Sequence, residues 1–349
     1  MSNTLWVLWG GFAIGLAFGA VGQRLEFCVA GGLREWWREG DPRRAAAVIL
    51  AMATALAGTQ ALEAAGYIDT GQSIYLQPGF SWLLMPLGGL LFGYGMILAR
   101  GCGARALVLL PDGNLRSLVV LLCLGISAYA MLTGVLAPLR LPVAEATTVS
   151  PGLPRPGLPD LLESFGLGAE PSRAGPTLLV AAALGWLALA KLRLWRKPVQ
   201  AVGAVAVGAL VPLGWLVTGY FGDDDFEPAR VESLTFVAPI GDAIQYLMLS
   251  TGISAGFGVT VVGGVLLGSL AASLASRDFE LRSFEKPRDL LRSGGGGLLM
   301  GTGGALALGC SIGQGLTGFS TLSLPSLLAL AAIWLGALTA LRGPLRLRD

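Results

Sequence analysis

The sequence contains no histidine and few charged residues. The missing histidine excludes imidazole metal sites, histidine-based catalytic triads and histidine proton relays. Charged residues make up 13% of the chain, whereas a soluble domain carries about 25%. The four cysteines are too few and too scattered for a disulfide scaffold or a Cys-x-x-Cys metal site. Basic residues form short clusters between apolar runs and no single basic face, so we expect no nucleic-acid binding. Without histidine and without a cysteine cluster, we also expect no metal and no cofactor.

Hydrophobic residues are abundant in the chain. Hydrophobic residues make up 54% of it and the mean hydropathy is +0.68. Apolar segments long enough to cross a bilayer recur along the chain. The first of these has no basic residues before it, so we interpret it as a span and not as a cleaved signal peptide. The composition predicts an all-α polytopic membrane protein with about nine transmembrane helices and additional short broken or re-entrant helices.

The chain divides into two halves around a segment with many prolines and glycines and weak hydrophobicity. We interpret that segment as a polar connection. The three predicted parts are 1–139, which contains Cys28 and Cys102, the connection 140–175, and 176–349, which contains Cys310.

One stretch occurs in both halves. Gly88–Cys102 and Gly296–Cys310 are identical at ten of fifteen positions when aligned without a gap, and both end at Gly-Cys. Glycines alone would be explained by close packing of helices in lipid. A cysteine at the same break in both copies favours a functional interpretation, in which two broken helices expose backbone and a thiol at membrane depth.

The basic clusters predict the orientation, because Lys and Arg in short loops stay cytoplasmic. The segments expected inside are 34–44, 191–197, 277–292 and 342–348, and those expected outside are 67–81 and 223–232. This places the N-terminus outside and the C-terminus in the cytoplasm. The two copies then cross the membrane in opposite directions, which is an inverted-topology repeat of the kind found in many secondary transporters.

A short apolar segment in the second half carries residues that do not suit a plain span. Residues 233–249 include Pro239, Gly241 and Asp242, and we expect a broken or re-entrant piece there. Asp242 is the one carboxylate that stands out as a possible proton carrier within the membrane. Its alternative interpretation is a helix cap or a loop residue near the outer surface.

The cysteines at the breaks suggest the chemistry of the path. A neutral thiol is a weak hydrogen-bond donor with a polarisable sulfur, which suits a soft, sulfur-bearing anion. Further anion contacts are expected from arginines that flank the cysteines and from the residues around the breaks. The alternative for the arginines is snorkelling at the interface, and for Cys123 it is ordinary packing. The expected path residues are Cys28, Cys102 and Cys310, and the expected anion contacts are Arg24, Arg100, Arg105, Gly101, Gly309 and Gln314.

Four stretches resemble a known family over nearly the whole chain: GLAFGAVGQRLEFCVAGGLR, LLFGYGMILARGCGARAL, SLTFVAPIGDAIQYL and LLMGTGGALALGCSIGQGLTGFS. The sequence resembles the YeeE/YedE family of bacterial sulfur-transport membrane proteins. The resemblance implies uptake of thiosulfate across the bacterial inner membrane and three motif cysteines that line the path. It also implies work beside a small soluble sulfur-carrier protein of the TusA type.

Other functions stay open at this point. The solute is expected to be thiosulfate or a related inorganic sulfur anion, with a selenium species or sulfide as alternatives. A membrane sulfurtransferase would hold a persulfide on one cysteine, activated by a nearby cation such as Arg100 or Arg105. A channel-like or structural subunit would use its cysteines only for packing. We favour a transporter without enzymatic activity.

Overall fold

The computed structural model describes residues 3–150, 152–166, 168–223, 229–276, 279–284 and 286–342. Half of the expected acidic outer segment (224–228 of 223–232), parts of the basic segment 277–292 and the basic tail (343–349) lie outside the described residues. The helices in the described part are α1 (Asn3–Arg24), α2 (Val29–Arg38), α3 (Arg43–Ala64), α4 (Leu84–Leu98), α5 (Gly103–Leu109), α6 (Leu115–Leu132), α7 (Ala137–Thr147), α8 (Leu158–Ser164), α9 (Ala169–Trp186), α10 (Pro198–Gly219), α11 (Val237–Leu249), α12 (Phe257–Ser276), α13 (Pro287–Leu306) and α14 (Leu324–Leu341). Two π-helical turns (Leu187–Lys191 and Gly313–Gly318), three 3-10 turns (Thr70–Gln72, Ile74–Leu76 and Leu194–Arg196) and two short strands, β1 (Phe80–Ser81) and β2 (Thr148–Val149), complete these elements.

The prediction of an all-α polytopic membrane protein is confirmed. Eight helical segments of the described chain are long and apolar enough to cross a membrane. The ninth expected span is α13, which is 20 residues long. Its hydropathy is lowered by its many glycines and by the charged residues of its first turns. It nevertheless packs against α4 and α6.

The long helices pack in pairs through glycines. α1 packs along α12, α3 along α10, α4 along α14 and α6 along α13. On α1, Gly15 faces the backbone of Val261, and Gly19 faces that of Val265, one turn further along α12. The two helices therefore run parallel, with backbones in contact where a side chain would not fit. Such small-residue contacts let helices associate in lipid, where the hydrophobic effect gives no driving force between them.

The two copies of the repeated stretch also contact each other, and they run in opposite directions. Gly88 of α4 lies against Gly303 of α13, and Gly95 of α4 lies against Gly296 of α13. In the sequence alignment Gly88 corresponds to Gly296, and Gly95 corresponds to Gly303. The contact therefore maps onto itself when the copies are exchanged, as a two-fold relationship between antiparallel helices requires. This is the geometry that an inverted repeat would produce.

The predicted polar connection, residues 140–175, contains more secondary structure than its composition suggests. It includes most of α7, strand β2, all of α8 and the start of α9. Hydrogen bonds from Leu158 N to Leu322 O (2.9 Å) and from Leu324 N to Pro156 O (2.9 Å) attach it to the start of α14. Prolines in the first turns of α7 and α8 begin helices here, because a missing N–H costs nothing at that position.

Residues 233–249 form a short element, in agreement with the sequence. The chain has no regular secondary structure in the segment 229–236 and then forms α11, which has only 13 residues. Such a helix is about 20 Å long, whereas the hydrocarbon core of a bilayer is about 30 Å thick. α11 packs against α6 and α12, and its first residues are buried in the helix bundle, whereas its last residues, Leu247–Leu249, are exposed.

Candidate functional site

Each of the three motif cysteines follows a residue in the left-handed backbone conformation. Glu26 (φ 50°), Arg100 (φ 62°) and Leu308 (φ 55°) each stand two positions before a cysteine. Side chains other than glycine rarely adopt this conformation, which costs about 1–2 kcal/mol. The same local backbone therefore ends α1, α4 and α13, although the three residues share no chemical property.

The helix ends explain this conformation. Gly101 N donates to Met96 O (2.9 Å), and Gly309 N donates to Gly304 O (2.9 Å). A bond that reaches back five residues over a left-handed residue is the Schellman motif, which satisfies a carbonyl at a helix end. The chain then turns away, and the next residue in both copies is the cysteine.

The cysteines stand at the beginning of the helical segments that follow. The sulfur of Cys28 accepts a hydrogen bond from Gly31 N at 3.3 Å, and that of Cys310 accepts one from Gly313 N at 3.2 Å. Cys102 is the residue before α5, and its sulfur makes no such capping bond. Its hydrogen-bond partner is the Cys28 side chain.

The structure brings the three predicted path cysteines into one buried group. Cys28 and Cys102 are hydrogen-bonded through their side chains, and Cys310 lies within electrostatic range of Cys102. Their exposed fractions are 6%, 2% and 2%, and all are free thiols. Cys123 is separate from this group. It lies on α6, half-buried, and packs against Gly297 of α13.

A cavity of about 210 Å³ lies beside Cys102. We call it the Gly101 cavity, after the residue that precedes the cysteine and lines it. Its charged lining is mostly basic and consists of Arg100, Arg105, Arg116, Arg292 and Asp289. A cavity with four arginines and one carboxylate favours anions.

A larger cavity, of about 700 Å³, lies beside Cys310. We call it the Gly309 cavity, because Gly309 stands in this copy where Gly101 stands in the other. Its polar lining comes mainly from elements outside the repeated stretch: Gln72, Tyr75, Tyr129, Thr133, Arg230, Glu232, Ser233, Thr235 and Asp242. The buried thiols thus have a cavity at each of the two corresponding breaks.

The predicted anion contacts differ in their position. Arg105 is half-buried, donates to Gly22 O at 3.1 Å and lies within electrostatic range of Cys28. Arg100 is half-exposed, with one guanidinium nitrogen 4.0 Å from Asp289 Oδ1. Arg24 is exposed and lines a separate cavity of about 890 Å³ that it shares with Arg105. Among the three predicted arginines, Arg105 is therefore the one that acts on the thiols.

Gln314 is almost fully buried beside the second break. Its Nε2 donates to Ala307 O at 2.6 Å, and its side chain lies over Gly309. A Cβ at Gly309 would come 3.2 Å from Gln314 Cγ, so the glycine is what admits this side chain. Within the part of the chain that the structure describes, Gln314 Oε1 has no hydrogen-bond partner.

Residues near Cys310 that the sequence did not indicate come from two connections. Tyr75 lies close enough to Cys310 and to Glu232 for their charges to act on it, and Thr235 is its hydrogen-bond partner. Burial raises the pKa of the Tyr75 hydroxyl above its usual range. Burial likewise raises the pKa of Glu232, to about 7, although Arg230 acts in the opposite direction. No motif marks these residues, because their place depends on how the connections fold over the bundle.

The chain matches known proteins over most of its length. A family model described as sulphur transport matches residues 24–339. A thiosulfate transporter, TsuA, of Escherichia coli (strain K12) is 28% identical over 350 residues, which covers 95% of this chain and 92% of that protein. TsuA of Spirochaeta thermophila is 27% identical and covers 93% of this chain and 94% of that protein. A probable transporter, YedE, of Escherichia coli (strain K12) is 32% identical over 90 residues, which covers 25% of this chain and 20% of that protein.

Proposed function

The chain belongs to the sulphur transport family, and we propose that it takes up thiosulfate through a path lined by Cys28, Cys102 and Cys310. The observation that carries this proposal is the position of the thiols. Three cysteines at helix breaks form one buried group, with the Gly101 cavity beside one break and the Gly309 cavity beside another. The full-length similarity to two thiosulfate transporters supports the choice of solute.

The thiols suit an ion that must bind and leave again. A neutral hydrogen bond contributes only about 0.5–1.5 kcal/mol, so each thiol offers a shallow site. The sulfur atoms are polarisable and match the terminal sulfur of thiosulfate better than a hydroxyl would. Passage through a pore requires sites that are favourable enough to enter and weak enough to leave. A row of three such donors meets this requirement.

Positive charge on the Gly101 side complements the donors. Arg105 acts on the thiols and lines the Gly101 cavity together with Arg100, Arg116 and Arg292. An anion that leaves the thiols on this side therefore meets a basic environment. In the proposed orientation this side faces the cytoplasm of a bacterial cell, with the inner membrane around the bundle and the two copies inverted. A soluble sulfur carrier of the TusA type would receive the sulfur there.

The test is thiosulfate uptake by a strain that depends on thiosulfate as its sulfur source and carries the full chain. Radiolabelled uptake is measured for the wild type and for Cys28→Ser, Cys102→Ser and Cys310→Ser, with equal protein in the membrane. We expect each of these variants to lose most of its uptake, because a hydroxyl is smaller and less polarisable than a thiol. Cys123→Ala is the matched control and should stay close to wild type.

Uptake at the wild-type rate in Cys102→Ser would contradict the thiol path. Accumulation of a persulfide on Cys102, detected by mass spectrometry of protein incubated with thiosulfate, would instead support a sulfurtransferase. If the wild-type chain restores no thiosulfate uptake, thiosulfate is not its solute.

A further inference from the structure

Glu232 lies on the wall of the Gly309 cavity without an ion pair in the described part of the chain. Its backbone is fixed by Thr218 of α10. The Thr218 hydroxyl donates to Glu232 O at 2.6 Å, and Glu232 N lies 3.2 Å from the same hydroxyl oxygen. These bonds hold the segment 229–236 against α10. The carboxyl group of Glu232 is largely buried in the cavity wall.

The other charged and titratable groups that line this cavity are Tyr75, Tyr129, Arg230 and Asp242. Tyr75 comes from the turn before β1, Tyr129 from α6 and Asp242 from α11, and Arg230 lies in the segment 229–236 together with Glu232. Asp242 already has a partner, because the Tyr129 hydroxyl donates to its carboxylate. Arg230 offsets one negative charge. When both carboxylates are ionised, the cavity therefore keeps one excess negative charge.

Tyr75 connects this excess charge to the thiol group. It lies close enough to Cys310 and to Glu232 to be influenced by the charge of both. Its ring packs edge-on against Trp215, with 6.3 Å between ring centroids, in the buried core. Glu232 and Gly309, the residue before Cys310, line the same cavity, so an anion that crosses this cavity toward Cys310 passes Glu232.

We propose that Glu232 is a proton-binding residue of the transport path, and that thiosulfate enters the Gly309 cavity when its carboxyl group is protonated. The inference rests on the proposed function. The physical reason is repulsion between thiosulfate and the ionised Glu232, because like charges repel each other strongly in a poorly hydrated space. Protonation of Glu232 removes the excess negative charge of the lining, in which the charges of Arg230 and Asp242 then sum to zero, and the cavity admits the dianion without net repulsion.

The ionisation of Glu232 falls in the required range. Burial raises its pKa to about 7, so its proton exchanges near neutral pH. Thiosulfate stays a dianion over that range, because its conjugate acids are strong. A change in uptake with pH therefore reports on the protein. The sign follows directly: uptake is high below the pKa of Glu232 and falls as the pH rises through it.

The experiment measures initial uptake of radiolabelled thiosulfate by cells at external pH values from about 6 to about 8. With a pKa of about 7, we expect wild-type uptake to fall about tenfold across this range, as the protonated fraction of Glu232 falls. Glu232→Gln carries a permanently neutral side chain of the same shape. It should keep the rate that the wild type shows at the acidic end, at every pH.

Glu163→Gln is the matched control. Glu163 is exposed on α8 and lines neither cavity, so this variant should retain the wild-type pH profile. A tenfold fall that persists in Glu232→Gln would overturn the inference and leave thiosulfate transport intact. If Glu232→Gln does not reach the membrane, Glu232→Ala is measured in its place. An uptake rate that varies with pH in the alanine variant as in the wild type overturns the inference in the same way.

Discussion

Gly303 of α13 lies directly against the carbonyl oxygen of Gly88 on α4. A Cβ at Gly303 would stand 2.6 Å from that oxygen, and a Cβ at Gly88 would stand 2.5 Å from the carbonyl oxygen of Gly303. The two helices thus meet backbone to backbone, and Gly95 and Gly296 repeat this contact with the two copies exchanged. Because each helix leads into a cysteine motif, this contact fixes the relative position of the two breaks.

Gly303→Ala should therefore destabilise the protein. The new methyl group meets backbone and not the end of a flexible side chain, so α4 and α13 have to separate. Overpacking of a tight core costs typically 1–3 kcal/mol, and we expect a lower melting temperature in detergent, measured by intrinsic fluorescence. Gly263→Ala on α12 is the control, because nothing lies within 4 Å of a Cβ there. Equal melting temperatures for the two variants would contradict the backbone contact.

The left-handed residue before Cys310 gives a second prediction. Leu308 has φ 55°, so its backbone is strained, and its exposed fraction is 39%. Leu308→Gly relieves a strain of about 1 kcal/mol and should raise the melting temperature by a few degrees. Leu308→Val should lower it, because a β-branched side chain tolerates this conformation least. The prediction fails if valine is tolerated as well as glycine.

A third prediction distinguishes two arginines that the sequence treats alike. Arg105 is half-buried near Cys28, whereas Arg24 is exposed. Arg105→Gln should reduce thiosulfate uptake several-fold, mainly through a higher apparent KM, because a positive charge that acts on the thiols is lost. Arg24→Gln should change it little.

The charge and the geometry of Arg105 can be separated with Arg105→Lys. This variant keeps the charge but alters the hydrogen bond to Gly22 O, and we expect it to recover part of the uptake. Equal losses in Arg24→Gln and Arg105→Gln would show that position relative to the thiols does not matter.

The sequence predicted the parts of the molecule that follow from local pattern. Apolar runs gave the long helices, and the repeated Gly-Cys gave the helix breaks before Cys102 and Cys310. The antiparallel contact between Gly88 and Gly303 was not predicted, because a sequence repeat shows only that two segments resemble each other. Their approach depends on which glycines face each other after packing.

The lining of the Gly309 cavity was largely missed for a related reason. Tyr75 and Glu232 lie in connections outside the long helices, where neither periodicity nor a motif indicates a position in space. Asp242 was noticed because a carboxylate is rare in an apolar segment. The helices within 140–175 were missed because prolines suggest a break, although at the first turn of a helix they favour its start.

The contact between α4 and α13 has a mechanical consequence. At Gly88 and again at Gly95 the backbones of these helices touch directly, so a rotamer change at those two positions cannot loosen them. We therefore expect α4 and α13 to move as one unit. The widening that lets an ion pass therefore has to come from the elements beside α4 and α13, above all α11 and the turn after Cys310.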